Sequence, residues 1–242
     1  MHNKKFISLA SSPGKTGQYF YNSFFNYYNI SATYEPYKTT NLTQSILDAV
    51  SDGVEGISIT MPFKKAIIPL LDNSDNLVNV YQSCNTVKII DGKLYGYNCD
   101  IEGVIHVSQN INVDDRISIL GDGAIGSMFA KYLESYNHKV YARSSNWDNR
   151  IADTNVVINC TPCGTNSNDS PYSSLPIGTR LVIDMSVTKN YLEEQVSISN
   201  IRYVSGREFY KCQFLRQFEI YTGIKPQSDV YDIFAEKFYQ SI

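Results

Sequence analysis

Charge of one sign is what this chain conspicuously fails to gather: over 242 residues the formal net charge is −3. That balance gives no reason to expect nucleic acid or an anionic membrane surface as a partner. No apolar run approaches the length that crosses a bilayer. The first residues, Met-His-Asn-Lys-Lys-Phe, lack the long apolar core of a signal peptide, so a cytoplasmic protein is expected. Cysteine is sparse and odd in number, with five residues at positions 84, 99, 160, 163 and 212. Scattered in this way they form no disulfide framework and fit a reducing compartment. The pair Cys160 and Cys163 has Cys-x-x-Cys spacing but no second pair and no thioredoxin-like surroundings, so no metal and no redox role is assigned. Histidine is scarce, and none of His2, His106 and His138 sits in a site-like context. Internal repeats and low-complexity segments are absent.

What is present centres on residues 116–144. A short apolar run at 117–120 leads into Gly121, Gly123 and Gly126, and a helical pattern begins as the glycines end. In a strand, tight turn and helix that bind a dinucleotide, the first glycine makes the turn, the second lets the backbone approach a pyrophosphate, and the third lets helix pack on strand. Ala124 and Ile125 complete the turn, and the phosphates would sit on the helix N-terminus, where free amides and the dipole favour anions. A second strand is expected at 138–142, and the residue after it discriminates between cofactors. NAD calls for an acidic residue there, whereas Arg143 with Ser144 and Ser145 suits a 2′-phosphate, so NADP is expected.

The remaining chain reads as alternating strands and helices, an α/β class. Residues 6–10 read as a strand and 18–29 as an aromatic helix with Phe20, Phe24 and Tyr28 at fourfold spacing. The loop between them, Ser-Ser-Pro-Gly-Lys-Thr, resembles part of a phosphate-binding loop, but the first glycine of that motif would fall at Leu9, which weighs against nucleoside triphosphate hydrolysis. A strand from Gly56 stops at Pro62 and delivers Thr60 and Lys64 to its carboxyl end, where open α/β sheets line their ligand crevice. A helical segment is expected after it. Asp91-Gly92 between apolar alternations signals a hairpin. Asn85 and Asp100 both suit a crevice edge, although Asp100 also suits a helix cap for residues 101–108. Buried parallel strands are expected at 155–159 and 180–184, then a long helix ended by Gly223, then a last helix with Val230, Ile233, Phe234 and Phe238 on one face.

Eight segments in order resemble the shikimate dehydrogenase family: Ser58-Ile-Thr-Met-Pro-Phe-Lys64, Asn85-Thr-Val, Asn98-Cys-Asp100, the glycine turn, Ala142-Arg-Ser, Asn159-Cys-Thr-Pro-Cys-Gly164, Asp184-Met185, and Gly206 to Gly223 with Gln213 and Phe218 between. The resemblance implies an α/β substrate domain from residues 1–101 and 210–242 and a Rossmann-type, doubly wound NADP-binding domain from 102–209, with the active site in the cleft between them. It implies Lys64 as the catalytic lysine with Asp100 as its partner. Thr60, Asn85 and Gln213 would hold hydroxyls of a small shikimate-like ring. Arg143 and Ser144 would hold the 2′-phosphate, Met185 and Gly206 would lie near the nicotinamide end, and Thr161 would also contact the cofactor. A monomer or homodimer is expected.

The chain departs from the family where the substrate carboxylate is held. Gly14-Lys15-Thr16 stands in place of a Ser-x-Ser pair, so Lys15 and Thr16 become the candidate acid contacts, and Val187 stands in place of a tyrosine. Ser58 replaces an asparagine, and Trp147 stands where a second basic residue often follows Arg143. The hydroxyl end is kept while the acid end is rewritten. Reversible hydride transfer between NADPH and 3-dehydroshikimate or a related cyclic polyol acid is therefore expected, with a catalytically silent or substrate-altered NADPH-binding relative as the alternative.

Overall fold

The computed structural model describes residues 3–142, 154–162, 175–188 and 191–240. It divides into two compact units, Met1–Cys99 with Phe214–Ile242, and Asp100–Gln213. Each is an α/β unit with its own sheet, as the alternation of strand and helix patterns predicts.

In the first unit β1 (Lys4–Ala10), β2 (Ala32–Lys38) and β3 (Val54–Ile59) are parallel, connected by α1 (Thr16–Tyr27) and α2 (Leu42–Ser51). The helical segment expected after Pro62 is split. Residues 61–67 form turns, Ile68–Leu70 forms a single 3-10 turn, and the chain is then diverted into the sheet as β4 (Asn73–Ser74) before α3 (Asn76–Tyr81). The diversion is anchored where the Asp72 N–H donates to the Leu94 carbonyl at 3.0 Å. Next, β5 (Thr86–Ile90) pairs antiparallel with β3 and with β6 (Lys93–Tyr97), giving the order β2-β1-β3-β5-β6-β4. The Asp91-Gly92 turn closes the β5–β6 hairpin in the register expected of it, Ile90 opposite Lys93.

The strand period of two separates the cores on the faces of this sheet. Ile7 and Leu9 join Ile57, Ile59, Ile67 and Val87 in an aliphatic cluster. Phe6 joins an aromatic cluster with Phe20, Phe24 and Phe25 of α1.

The second unit begins with α4 (Asp100–Ser108), followed by β7 (Arg116–Leu120), α5 (Ala124–Tyr132), β8 (Asn137–Tyr141), β9 (Val156–Asn159), β10 (Leu181–Asp184), α6 (Tyr191–Ser197) and β11 (Arg202–Ser205). All five strands are parallel, in the order β11-β10-β9-β7-β8. β9 and β10 are buried along their whole length, which is why they read as unbroken apolar runs. At the opposite end of the sheet from the glycine turn, Asp115 is tied down by Arg180 Nε at 2.9 Å, Asn155 Nδ2 at 3.0 Å and the Asn112 N–H at 2.6 Å.

β11 runs straight into α7 (Gly206–Thr222), and the chain ends in α8 (Ser228–Tyr239). Phe214, Phe218 and Tyr221 of α7 enter the aromatic cluster of the first unit, as do Val230 and Tyr231 of α8. Phe234 and Phe238 pack beside them, but Ile233 is 52% exposed. At 100° per residue, a buried face centred on Val230, Tyr231, Phe234 and Phe238 turns Ile233 outward, which corrects the expected stripe.

Candidate active site

The strand order of the second unit reverses direction at β7, whose neighbours are β8 on one side and β9 on the other. In open parallel sheets the ligand crevice lies outside the carboxyl ends of the strands at such a reversal. The glycine turn follows β7 at this point. Gly121 has a φ of +97°, a conformation that side chains resist, and it fits under the chain that leaves β9. A Cβ on Gly126 would lie 1.9 Å from the Gly121 carbonyl oxygen, so the close approach of helix and turn requires glycine there. Gly123 is the N-cap of α5, has no side-chain cap, and faces open space where a Cβ would be. Asp122, Gly123 and Ala124 are exposed, Ile125 is half-buried, and the first turn of α5 carries no acidic residue. An uncapped, exposed helix N-terminus reached over glycine fits a pyrophosphate. Arg143 and Ser144 lie outside the described residues, as do Trp147 and Cys163.

The strands beyond the turn are joined at their carboxyl ends by Asp184, which is fully buried. Its Oδ1 accepts from Asn159 Nδ2 at 3.0 Å and from the Ser186 N–H at 3.1 Å, and its Oδ2 accepts from the Tyr203 hydroxyl at 3.1 Å. Asn159 Oδ1 in turn accepts from Thr161 through the backbone N–H at 3.1 Å and the hydroxyl at 2.6 Å. The Gly206 N–H donates to the Ser186 carbonyl at 3.0 Å. Thr161 and Gly206 are thus held in one hydrogen-bonded set around a single carboxylate, and the Met185 N–H joins it by donating to the Asn159 carbonyl at 2.9 Å. Burial, with the Asp184 charge adding to it, pushes the Cys160 thiol and the Tyr203 hydroxyl far up, so both are neutral.

The first unit gathers Thr60, Lys64 and Asn85. Thr60 follows β3, with its N–H on the Leu9 carbonyl at 3.0 Å and its carbonyl accepting from the Phe63 N–H at 2.8 Å. Lys64 is half-buried in the turn after Pro62, and its carbonyl accepts from the Cys84 N–H at 2.8 Å. Asn85 is buried, and its backbone accepts from the Ile59 N–H at 2.8 Å, which brings the residue before β5 against the end of β3. Its Oδ1 accepts from the Cys99 N–H at 2.9 Å. The next residue, Asp100, is 2% exposed and opens α4 as an acidic first-turn residue, so it occupies a helix start whatever else it does. Gln213 is half-buried on α7.

Lys15 and Thr16 are exposed at the start of α1, beside an exposed Gly14. Leu9 is buried in β1, so the position where a phosphate-binding loop needs its first glycine is a strand core residue. Ser58, the residue that departs from asparagine, accepts from the Tyr34 hydroxyl at 2.7 Å and lies 3.0 Å from the Tyr221 hydroxyl. Burial raises both phenols, Tyr34 to about 12. Val187 is half-buried and its carbonyl accepts from Arg207 Nε at 2.8 Å. It borders a cavity of about 470 Å³ in the second unit, together with His106, Arg202, Tyr203 and Glu208. That cavity contains none of the residues assigned to the cofactor. Among the described residues no group of three or more His, Cys, Asp or Glu could hold a metal, and no helix is long and apolar enough to cross a membrane.

The chain is similar to known proteins in sequence and in fold. Residues 11–87 match the shikimate dehydrogenase substrate binding domain. A shikimate dehydrogenase (NADP(+)) of Thermoplasma acidophilum is 27% identical over 257 residues, covering 94% of each chain. The shikimate biosynthesis protein AroDE of Chlamydia muridarum is 28% identical over 88% of this chain, which spans about half of that protein's length, 48%. A shikimate 5-dehydrogenase of Thermus thermophilus, solved in complex with NADP(H) and shikimate, shares the fold with a TM-score of 0.83 at 17% identity, covering 97% of this chain and 99% of that one. Residues 11–87 thus match the substrate binding domain of shikimate dehydrogenases, and over nearly its whole length this chain is similar to shikimate dehydrogenases in sequence and in fold.

Proposed function

We propose that the protein is an NADP-dependent oxidoreductase that interconverts a ring ketone and a ring alcohol, 3-dehydroshikimate and shikimate or a closely related cyclic polyol acid. The observation that supports this best is the uncapped glycine turn at the strand-order reversal of one unit, in a chain whose other unit presents Thr60, Lys64 and Asn85 at adjoining strand ends. In this reading the first unit takes the ring acid and the second takes the cofactor. Backbone amides at Gly123 to Gly126 receive the pyrophosphate, the Arg143 guanidinium and Ser144 receive the 2′-phosphate, and Thr161, Met185 and Gly206 line the nicotinamide side.

The bound dinucleotide supplies a hydride to the carbonyl carbon of the ring. Lys64 provides what the carbonyl oxygen then needs: an ammonium that stabilises the developing negative charge and donates a proton to it, leaving an alcohol. In the reverse direction the neutral amine takes the hydroxyl proton. Asp100 orients the lysine and accepts from a neighbouring hydroxyl, while Thr60, Asn85 and Gln213 fix the other ring hydroxyls. Lys15, a point charge, and Thr16 serve the carboxylate.

A substitution at Lys64 tests the assignment. Lys64→Ala should bind NADPH as the wild type does and lose turnover by about 10²- to 10⁴-fold. Unchanged turnover would remove Lys64 from the mechanism. The absence of a side chain at Gly14 and of a hydroxyl at Val187 favours a second reading, an NADPH-binding member altered in substrate, and tight dinucleotide binding with no turnover on either shikimate or quinate would support it.

A further inference from the structure

Gln217 lies one turn beyond Gln213 on α7, is 2% exposed, and has no place in the mechanism above. Its carboxamide nevertheless sits in a chain of hydrogen bonds that ends on Asn85. Gln217 Nε2 donates to Thr86 Oγ1 at 2.6 Å and to the Asn85 carbonyl at 3.1 Å. Thr86 Oγ1 donates to Asn85 Oδ1 at 2.8 Å, and Gln217 Oε1 accepts from the Tyr21 hydroxyl.

The direction of this chain is forced at two points by backbone groups, which cannot exchange roles. The Cys99 N–H can only donate, so the Asn85 atom it meets at 2.9 Å is the oxygen. The single proton of Thr86 must then go to that oxygen. Thr86 is left to accept, so the Gln217 atom facing it is the nitrogen. The Asn85 carbonyl can only accept and demands the same nitrogen independently. Gln217 Oε1 therefore faces Tyr21, whose hydroxyl must donate and whose ring is held against Tyr34 at 4.3 Å between centroids. Burial raises the Tyr21 phenol, which keeps that donor protonated.

We infer that Thr86, Gln217 and Tyr21 are positioning residues that lock the Asn85 carboxamide in one of its two flips, so that Asn85 meets the substrate through N–H and never through C=O. The inference rests on the reading in which Asn85 touches the ring. It makes Asn85 selective for a substrate oxygen that accepts, and it makes the donor pattern of the site depend on Gln217, 132 residues away in sequence.

The test uses Thr86→Val, which keeps shape and removes the hydroxyl, with Tyr21→Phe as a gentler second variant at the far end of the chain. Each is made alone and in an Asn85→Ala background. KM and kcat are measured for shikimate with NADP, and KM for NADP, on proteins whose melting shows them folded. Thr86→Val should raise KM for shikimate roughly tenfold with kcat held within about twofold and KM for NADP unchanged. Tyr21→Phe should raise it about threefold, and neither substitution should add to the effect of Asn85→Ala, because a residue acting through another has nothing left to act on. Full additivity, or no change in the single variants, overturns the inference while leaving the Asn85 contact standing. An Asn85→Ala variant with unchanged KM, or a wild type silent on shikimate, removes the contact itself and the inference with it.

Discussion

In the first unit β2, β3 and β5 are tied to α1 and α7 by neutral groups: the hydroxyls of Tyr21, Tyr34, Ser58 and Tyr221, the Thr86 hydroxyl and two carboxamides. In the second unit the ends of β9, β10 and β11 are tied together by one buried carboxylate. The two devices differ in what they specify. A carboxylate only accepts, so it gathers any donors placed around it and fixes positions. A chain of hydroxyls and amides both gives and takes, so it fixes a direction, and through that direction the face each group shows a ligand. This suits the assigned roles, since a substrate with several similar hydroxyls demands a pattern of donors, whereas a dinucleotide demands backbone held at the right height.

The contrast is broken most severely at Asp184. Asp184→Ala leaves Asn159 Nδ2 and the Ser186 N–H buried without this acceptor and takes the partner of the half-buried Tyr203 hydroxyl, an expected loss of about 3 kcal/mol at about 1 kcal/mol per donor. Thermal melting should fall by about 10 °C. By contrast Tyr34→Phe, which removes one neutral member from around Ser58, should cost about 1 kcal/mol. Equal losses for the two variants would show that the carboxylate holds nothing the hydroxyls do not.

Acid sharpens the same contrast. Burial would raise the Asp115 carboxyl, but its hydrogen bonds from Arg180, Asn112 and Asn155 and the Arg180 charge outweigh burial and hold it below its ordinary value of 3.8. A carboxyl lowered in the folded state contributes stability that is fully present above 3.8 and is lost as pH falls through the lower folded value. Melting followed from neutral pH into that acidic window should drop for the wild type. Asp115→Asn should melt lower at neutral pH and show a shallower acid decline, and an unaltered acid limb would remove Asp115 from the account.

The smallest effect is expected in the glycine turn itself. Asp122 is exposed one residue before the N-cap of α5, where its charge opposes an incoming phosphate. Asp122→Asn should tighten NADPH binding by about 0.3–1 kcal/mol at low salt, with the gain shrinking as salt is added. Weaker binding would mean that the carboxylate helps to hold the turn.

What the sequence made legible follows the range over which each feature is determined. The glycine turn, the Asp91-Gly92 hairpin and the buried strands β9 and β10 are set by residues adjacent in the chain, and their patterns are plain before folding. The aromatic spacing of α1 likewise marks Phe20 and Phe24 as core, and both are buried. The sets that hold the candidate residues are written across distance: Tyr21 meets Gln217 over 196 positions, and Gln217 meets Thr86 over 131. No local pattern connects them. One signal was available, since Gln213, Gln217 and Tyr221 recur every four residues and lie on one stripe of α7, and polar residues repeated on a helix that also carries Phe214 and Phe218 ask for buried partners. Ile233 misled for the opposite reason: an apolar residue joins a stripe only if the face is centred near it, and Tyr231 moves that centre.

The most direct measurement is nicotinamide absorbance during incubation of the protein with shikimate and with quinate, each in the presence of NADP and of NAD. The account predicts reduction of NADP by a cyclic polyol acid, with NAD a poorer partner. No absorbance change with either acid and either cofactor, in a preparation that binds NADPH, would contradict it.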